Sequence, residues 1–102
     1  MNISNKTVLV TGSSQRIGKE IALFFASKNA NTIIHYNNSK IDAFKTYDEI
    51  KSINSDSMII KSDLESVSEN INLIKKIIDE FGHIDIIINN ASIFNKINLK
   101  DT

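Results

Sequence analysis

The residues best suited to bind a ligand lie in one stretch, 11–18, which reads Thr-Gly-Ser-Ser-Gln-Arg-Ile-Gly. An apolar run precedes this stretch and a helix-like run follows it. In a tight turn from a strand into a helix, the first backbone N–H groups of the helix and its positive dipole end point past the strand, where an anion binds. The stretch is therefore a candidate phosphate-binding turn for a nucleotide.

Two glycines give this turn its expected shape. Gly12 lets the backbone turn sharply, and Gly18 lets the helix pack closely on the strand. Arg16 occupies the place of the middle glycine in the usual dinucleotide-binding fingerprint, so an ordinary turn with a helix cap is the alternative. Under the nucleotide interpretation, Ser14 and Ile17 join these residues in contacting the cofactor.

The elements that must position the turn alternate along the chain. Runs of β-branched and apolar residues predict four buried strands, at residues 6–10, 32–36, 57–61 and 84–88. Between them, apolar residues recur at intervals of three and four, which predicts three helices with apolar stripes, and the stripe of the second helix is expected to face a sheet. The stripes consist of Ile17, Ile21, Phe24 and Phe25, then Ile41, Phe44, Tyr47, Ile50 and Ile53, and finally Val67, Ile71, Ile74, Ile77, Ile78 and Phe81.

The helix ends carry their own signals. Asn29 is expected to end the first helix in a left-handed conformation. Ser39 is positioned to cap the second helix. Ser66 and Glu69 form a capping-box pair at the start of the third helix, and Gly82 closes it.

The order β-α-β-α-β-α-β requires a parallel sheet with right-handed crossovers. We therefore predict an α/β fold, a Rossmann-like parallel sheet with helices on both faces, limited to the N-terminal half with strand order 3-2-1-4. Residues 1–102 would form a single, truncated dinucleotide-binding domain. Because the carboxyl ends of parallel strands meet at one edge, the loops after the strands should surround the turn at 11–18.

The composition excludes several classes of partner. Lys and Arg number 12, as do Asp and Glu, so the charge favours neither nucleic acid nor an anionic membrane. There is no cysteine, and the two histidines, His35 and His83, lack ligand-like spacing, so we expect no metal site. The chain has neither a basic leader nor a membrane-length apolar run, which favours a cytoplasmic protein.

Four features resemble the short-chain dehydrogenase/reductase family in order and spacing. They are Thr-Gly-x-x-x-x-Ile-Gly at 11–18, Asp63-Leu64 after the third strand, His-Ile-Asp at 83–85, and Asn-Asn-Ala-Ser at 89–92 after the fourth strand. The resemblance covers essentially the whole chain. It implies an oxidoreductase that transfers hydride from a nicotinamide dinucleotide, and a homo-oligomer for the full-length enzyme.

Within the family, three features resemble the pteridine reductase branch, whose members reduce pterins and folates with NADPH. These are Arg16, the pair His35-Tyr36, and Asn-Ala-Ser in place of the commoner Asn-Ala-Gly. The implied substrate of the full-length enzyme is a small carbonyl compound or a pterin. Other short-chain reductases, such as a 3-oxoacyl carrier protein reductase, remain an alternative, as does a non-catalytic nucleotide-binding or interaction remnant.

The stretch after the second strand favours NADP(H) over NAD(H). Sites specific for NAD place an acidic side chain there to bind the ribose 2′-hydroxyl. The residues in question are Tyr36, Asn37, Asn38 and Ser39. The first carboxylate is Asp42, already inside the helix, so a 2′-phosphate would meet donors, and Arg16 could add a charge-assisted contact.

The resemblance assigns roles to the remaining site residues. Asp63 would accept a hydrogen bond from the adenine amino group and Leu64 would pack on the ring, although Asp63 also suits an ordinary turn. The floor beneath the ribose and nicotinamide would consist of Asn90, Ala91 and Ser92. Phe94 would stack on the pterin, with a core contact as the alternative.

No catalytic residue is predicted in this chain. The family's catalytic Ser, Tyr and Lys belong to a later segment than the one matched here, so we expect the chain alone to be inactive. Tyr47 and Lys51 match Tyr-x-x-x-Lys, but they lie on the second helix, where core packing for Tyr47 and solvent for Lys51 are expected. The strand at 84–88 would leave an apolar edge uncovered, which predicts a marginally stable chain that is prone to associate.

Overall fold

The computed structural model describes residues 2–13, 16–54 and 56–90. Its elements, in chain order, are β1 (Thr7–Thr11), α1 (Arg16–Ser27), β2 (Asn31–Tyr36), α2 (Lys40–Ile53), β3 (Met58–Lys61), α3 (Val67–Phe81) and β4 (Ile86–Asn89). The strands form one parallel sheet in the order β3-β2-β1-β4. This topology confirms the predicted Rossmann-like fold and its strand order. No helix in the described ranges is long and apolar enough to cross a membrane.

The helices cover both faces of the sheet, because side chains alternate along each strand. On one face, Val8, Val10 and Ile34 pack against residues of α1 and α2. On the other face, Leu9, Ile33 and Ile60 pack against Leu73 and Ile77 of α3. The two central strands, β1 and β2, are therefore buried on both sides, as their unalternating apolar sequences predict.

The apolar stripe of α1 is only partly buried, with Ile21 and Phe25 packed against the core. The buried residues of this helix are Gly18, Ala22 and Ala26, whereas Ile17 is 69% exposed and Phe24 is 53% exposed. The small residues let the helix backbone lie close to the sheet, and the large side chains of Ile17 and Phe24 are left exposed at the side of the helix. The spacing of the large residues indicated a helix but only part of the face that it buries.

The apolar stripe predicted for α2 is also only partly buried. This helix buries Ala43, Thr46 and Ile50, and Tyr47 packs against the same core. Three members of its predicted stripe are exposed, namely Ile41, Phe44 and Ile53. The stripe members Tyr47 and Ile50 thus lie on the buried face, together with Ala43 and Thr46, which the stripe did not include.

In α3 the prediction holds for one end of the stripe. Ile77 is buried and Phe81 packs against it as expected, together with Leu73, which was not predicted. The members left exposed are Val67, Ile71 and Ile78. The apolar stripe of this helix is wider than the sheet surface that β1, β2 and β3 offer to it.

The predicted helix ends are largely confirmed. Asn29 and Gly82 have φ values of 65° and 85°, both left-handed. The Ser66 hydroxyl accepts a hydrogen bond from the Glu69 N–H at 3.3 Å. The Glu69 carboxylate, however, accepts from the Asp63 N–H at 2.9 Å and not from Ser66, so it ties the helix to the preceding loop. Ser39 occupies the N-cap position of α2 without a side-chain capping bond.

β4 begins at Ile86, two residues later than predicted, because Asp85 is hydrogen-bonded to the backbone of Thr7. Its carboxylate accepts a hydrogen bond from the Thr7 N–H at 2.8 Å, and its own N–H donates to the Thr7 carbonyl at 2.9 Å. His83 contacts the same carboxylate at 2.9 Å. These bonds fix the register in which Thr11 lies beside Asn89, so the carboxyl ends of β1 and β4 are level.

Candidate cofactor site

The turn after β1 is built on a left-handed glycine. Gly12 has a φ of 62°, a conformation that costs side-chain-bearing residues energy, and it directs the chain from the strand towards α1. The Ser13 hydroxyl accepts a hydrogen bond from the His35 N–H at 2.9 Å. The Ser13 N–H donates to the His35 carbonyl at 3.1 Å. The turn is thus held against the end of β2.

Gly18 provides the close approach that the sequence predicts. A Cβ atom at this position would lie 2.2 Å from the Gly12 carbonyl oxygen and 2.6 Å from Nδ2 of Asn90. No side chain fits at those distances. The first turn of α1 therefore packs directly on the backbone of the turn and on the end of β4, which agrees with both proposed glycine roles.

Arg16 begins α1 in an unusual conformation. Its φ is 56°, in the region that glycine prefers, and its side chain is exposed. The position normally taken by a glycine thus keeps a glycine-like backbone although it carries an arginine. The guanidinium lies at the helix N-terminus, where positive charge is not favoured by the helix dipole but where an anionic ligand would bind.

His35 joins the turn to β3 through its imidazole. The Gly12 N–H donates to Nδ1 at 2.9 Å, so Nδ1 carries no proton and the Nε2–H donates to the Ser62 carbonyl, also at 2.9 Å. The side chain is buried. Burial lowers the pKa of His35, and the bond to Ser62 opposes this shift in part. The imidazole is therefore neutral and has both nitrogens paired.

Asn90 connects the turn to β4. Its Nδ2 donates to the Gly12 carbonyl at 3.1 Å, and its backbone N–H donates to Oγ1 of Thr11 at 2.9 Å. The Thr11 hydroxyl in turn donates to Oδ1 of Asn89 at 3.1 Å. Two of the predicted site residues, Gly12 and Gly18, thus meet a third, Asn90, in direct contact.

The end of β2 presents polar groups without a carboxylate. Tyr36 is buried, with its ring edge-on to Phe44 at a centroid distance of 6.4 Å, so its side chain serves the core. Asn37 and Asn38 are exposed and Ser39 is partly exposed. The first charged side chain after the strand is that of Lys40, which is exposed. The described end of β2 thus offers hydrogen-bonding groups and one exposed cation.

Asp63 and Leu64 follow β3 at the same edge of the sheet. Oδ1 of Asp63 accepts a hydrogen bond from the Glu65 N–H at 3.0 Å, which closes a local turn. Leu64 packs against the core on the α3 side. Both residues therefore have structural contacts, and both remain partly exposed.

The remaining predictions concern four further site residues, the Tyr-x-x-x-Lys match and metal binding. Ser14, Ala91, Ser92 and Phe94 lie outside the described residues. Tyr47 packs in the core with the Lys51 ammonium 5.4 Å from its ring centroid, so the Tyr-x-x-x-Lys match is part of the packing of α2. Among the residues that the structure describes, no group of three potential metal ligands comes together.

Three residues shape the site although sequence reasoning assigned them no role of their own in it, namely Thr11, Ser13 and His35. The available signal was burial, because a polar side chain inside an apolar parallel strand must find a hydrogen-bonding partner. His35 in the predicted strand 32–36 met that condition. Its partners could not be identified, since Gly12 and Ser62 become its neighbours only when the three strands align.

Comparisons with known proteins agree with this geometry. A family model for short chain dehydrogenases matches residues 6–102. Short chain dehydrogenase claC of Passalora fulva is 35% identical over 97% of this chain, which spans 37% of that protein. The 3-oxoacyl-[acyl-carrier-protein] reductase FabG of Staphylococcus epidermidis is 37% identical over 87% of this chain and 36% of its own length.

Solved structures give the same result. A short chain dehydrogenase from Burkholderia cenocepacia in complex with NADP superposes with a TM-score of 0.84 at 31% identity, covering 92% of this chain and 38% of that one. A hydroxysteroid dehydrogenase from Escherichia coli superposes with a TM-score of 0.81 at 31% identity over 88% of this chain and 38% of its own. The chain thus spans little more than a third of the length of these relatives.

Proposed function

This chain belongs to the short-chain dehydrogenase family, and we propose that its strand ends bind the adenosine half of NADP(H) within a short-chain oxidoreductase. NADPH supplies the hydride in such a reaction. The residues of this chain would bind and orient the dinucleotide. We assign no catalytic group to them, so we expect no hydride transfer by the 102-residue chain alone.

The observation that carries the proposal is the contact between Gly12 and Gly18. Any side chain at Gly18 would overlap the Gly12 carbonyl, and that close packing brings the N-terminus of α1 up to the edge of the sheet. Backbone N–H groups and the positive end of the helix dipole then lie where a pyrophosphate can bind. The polar ends of β2, β3 and β4 surround this point.

The preference for a 2′-phosphate is proposed on charge. Exposed cationic side chains, Arg16 and Lys40, begin the helices that follow β1 and β2. The stretch from Asn37 to Ser39 offers hydrogen-bonding groups without a carboxylate. A phosphate would therefore be attracted here, whereas a free ribose hydroxyl would lack its usual acidic partner. The relative solved with NADP supports the same preference.

We assign the remaining contacts by resemblance. Asp63 would accept from the adenine amino group with Leu64 beside the ring, and Asn90, Ala91 and Ser92 would lie beneath the ribose and nicotinamide. The substrate class that we propose is a pterin, with Phe94 stacked on it. The 37% identity to a 3-oxoacyl-[acyl-carrier-protein] reductase supports the alternative substrate class. We expect the whole enzyme to be cytoplasmic and homo-oligomeric.

Calorimetric titration of the 102-residue chain tests the cofactor proposal. We expect NADPH to bind at least about tenfold more tightly than NADH, the usual difference for one charge-assisted contact to a phosphate. Adenosine 2′,5′-bisphosphate should compete and 5′-AMP should compete less well, because the described strand ends make the adenosine site. Equal affinities for NADPH and NADH would reject the 2′-phosphate assignment, and no binding of either would reject the site.

A second titration distinguishes this proposal from the alternative that the chain is a non-catalytic interaction remnant. If NADPH binds only after a second polypeptide is added, the chain acts by complementation. An assay with NADPH and dihydrobiopterin tests the expected inactivity, and turnover by the chain alone would contradict it.

A further inference from the structure

The imidazole of His35 is the central link between three strand ends. It accepts from the Gly12 N–H after β1 and donates to the Ser62 carbonyl after β3. The backbone of His35 itself binds Ser13 through its N–H and its carbonyl oxygen. The Gly12 N–H is thus occupied by a side chain and is not directed at a ligand.

We infer that His35 is a positioning residue of the cofactor site, which holds the glycine turn in its binding conformation by accepting the Gly12 N–H. This inference rests on the proposed dinucleotide function. In this arrangement the pyrophosphate would bind at the N-terminus of α1 and not to the Gly12 N–H. A histidine inside a buried strand is then explained by the turn that it supports.

The link depends on the protonation state of the imidazole. A protonated histidine has an N–H on both nitrogens and no acceptor, so it cannot receive the Gly12 N–H. Acidification should therefore release the turn, while the bond to Ser62 survives. Burial lowers the pKa of His35, so the release is expected at a lower pH than the one at which an ordinary histidine takes up a proton.

Among the described residues, few other titratable groups lie on the elements beside His35. Residues 11–13, at the end of β1 and the start of the turn, bring only amides and hydroxyls to it. The groups from the side of β3 are Lys61, which is exposed, and Asp63, whose Oδ1 already accepts the Glu65 N–H. From α3 comes Glu69, whose carboxylate accepts the Asp63 N–H. None of these three supports the turn directly, so its pH response is expected to follow His35.

Two variants divide the functions of the imidazole. His35→Asn places an amide oxygen near the position of Nδ1 and keeps an acceptor for Gly12, but it cannot reach Ser62. His35→Gln reaches towards Ser62 with its amide but removes the Nδ1 acceptor. A merely structural role would make both variants equally harmful, because each loses one buried hydrogen bond.

The test is calorimetric titration with NADP⁺ over a pH series, on folded protein as judged by circular dichroism. At about pH 7.5, where His35 is neutral, we expect His35→Gln to bind about tenfold more weakly than wild type and His35→Asn within about threefold of it. Wild type should lose more affinity than His35→Asn on acidification. The 2′-phosphate of NADP⁺ itself titrates near pH 6, by analogy with phosphorylated side chains. Its effect on affinity is the same in both proteins, so the difference between wild type and His35→Asn reports on His35.

The inference is overturned if the Asn and Gln variants bind alike, or if wild type and His35→Asn share one pH profile. A ligand-free measurement covers the case in which the wild type binds no NADP⁺ and the proposed function fails. Amide hydrogen exchange at Gly12 should then be faster in His35→Gln than in His35→Asn at equal global stability. Equal exchange rates would refute the positioning role independently of any cofactor.

Discussion

Arg16 combines a positive charge with a backbone conformation that favours glycine. A non-glycine residue at a φ of 56° costs roughly 1 kcal/mol or more, and such strain is retained where a side chain has a task. We therefore predict that Arg16→Gly raises the free energy of unfolding by about 1 kcal/mol. Urea unfolding measures this, and a loss of stability would contradict it.

The matched variant Arg16→Gln separates strain from charge. It keeps a side chain in the strained conformation but removes the positive charge. The preference for NADPH over NADH should fall by about tenfold in both variants, whereas only Arg16→Gly should gain stability. If the preference survives in both variants, the 2′-phosphate does not depend on Arg16.

Gly18 leaves no room for a methyl group. The Gly12 carbonyl oxygen lies 2.2 Å from the position of a Cβ atom, so Gly18→Ala must displace α1 from the turn. We expect it to lower the free energy of unfolding by about 1–3 kcal/mol, the usual cost of overpacking, and to weaken NADPH binding. Gly82→Ala is the control, because nothing lies within 4 Å of a Cβ there and only the φ of 85° opposes it. It should lose about 1 kcal/mol without a change in affinity.

His35 makes the stability of the fold depend on pH. Its pKa is lowered on folding, so the unfolded chain takes up a proton at a higher pH than the folded chain does. The contribution is complete above the unfolded pKa of about 6.5 and is lost as the pH falls through the folded pKa. Urea unfolding at decreasing pH should show a steeper loss for wild type than for His35→Asn, and parallel losses would contradict this.

Two serines occupy the N-cap positions of helices, but only one of them makes a side-chain capping hydrogen bond. Ser66 accepts the Glu69 N–H, whereas the Ser39 side chain makes no capping bond. Ser66→Ala should therefore cost about 1 kcal/mol of unfolding free energy, and Ser39→Ala a few tenths or less. Thermal or urea unfolding of the pair measures the difference, and equal costs would contradict it.

The elements and their order were predictable, but the buried helix faces were predictable only in part. Alternation of strands and helices indicated a parallel sheet with right-handed crossovers, and the doubly wound Rossmann pattern supplied the strand order. The face of α1 depends instead on how closely Gly18, Ala22 and Ala26 approach the sheet, and large residues such as Phe24 dominate any count of apolar spacing. Exposure of those residues is a property of the neighbours that they meet, which local sequence does not contain.

The site divides in the same way. Gly12 and Gly18 were predictable because their conformational and steric roles are local to the turn. His35 was not identified as a site residue, because its partners come from β1 and β3. Tyr36 was expected to contact the cofactor, but its ring packs on Phe44, and whether its backbone contacts the ligand stays a prediction.

At the scale of the molecule, an apolar groove lies between α1 and β4. Its volume is about 730 Å³, and its lining includes Ile17, Phe24 and Ile88. Exposed apolar surface of this kind promotes association between molecules. We predict concentration-dependent association of the 102-residue chain in sedimentation velocity, weakened by Phe24→Lys.

Phe24 is exposed, so Phe24→Lys should change the free energy of unfolding little. Ala22→Lys, on the buried face of the same helix, is the contrasting variant and should unfold the chain. A wild-type chain that stays monomeric at high concentration would contradict the predicted association.

We propose that the carboxyl edge of this sheet binds the adenosine half of NADP(H). Heteronuclear NMR of the nitrogen-labelled chain during addition of adenosine 2′,5′-bisphosphate tests it residue by residue. We predict shifts of the amide signals of Gly12, Gly18, Asn38 and Asp63, with the signal of Thr7 at the opposite edge unchanged. Shifts confined to the groove between α1 and β4, or no shifts at saturating ligand, would contradict the claim.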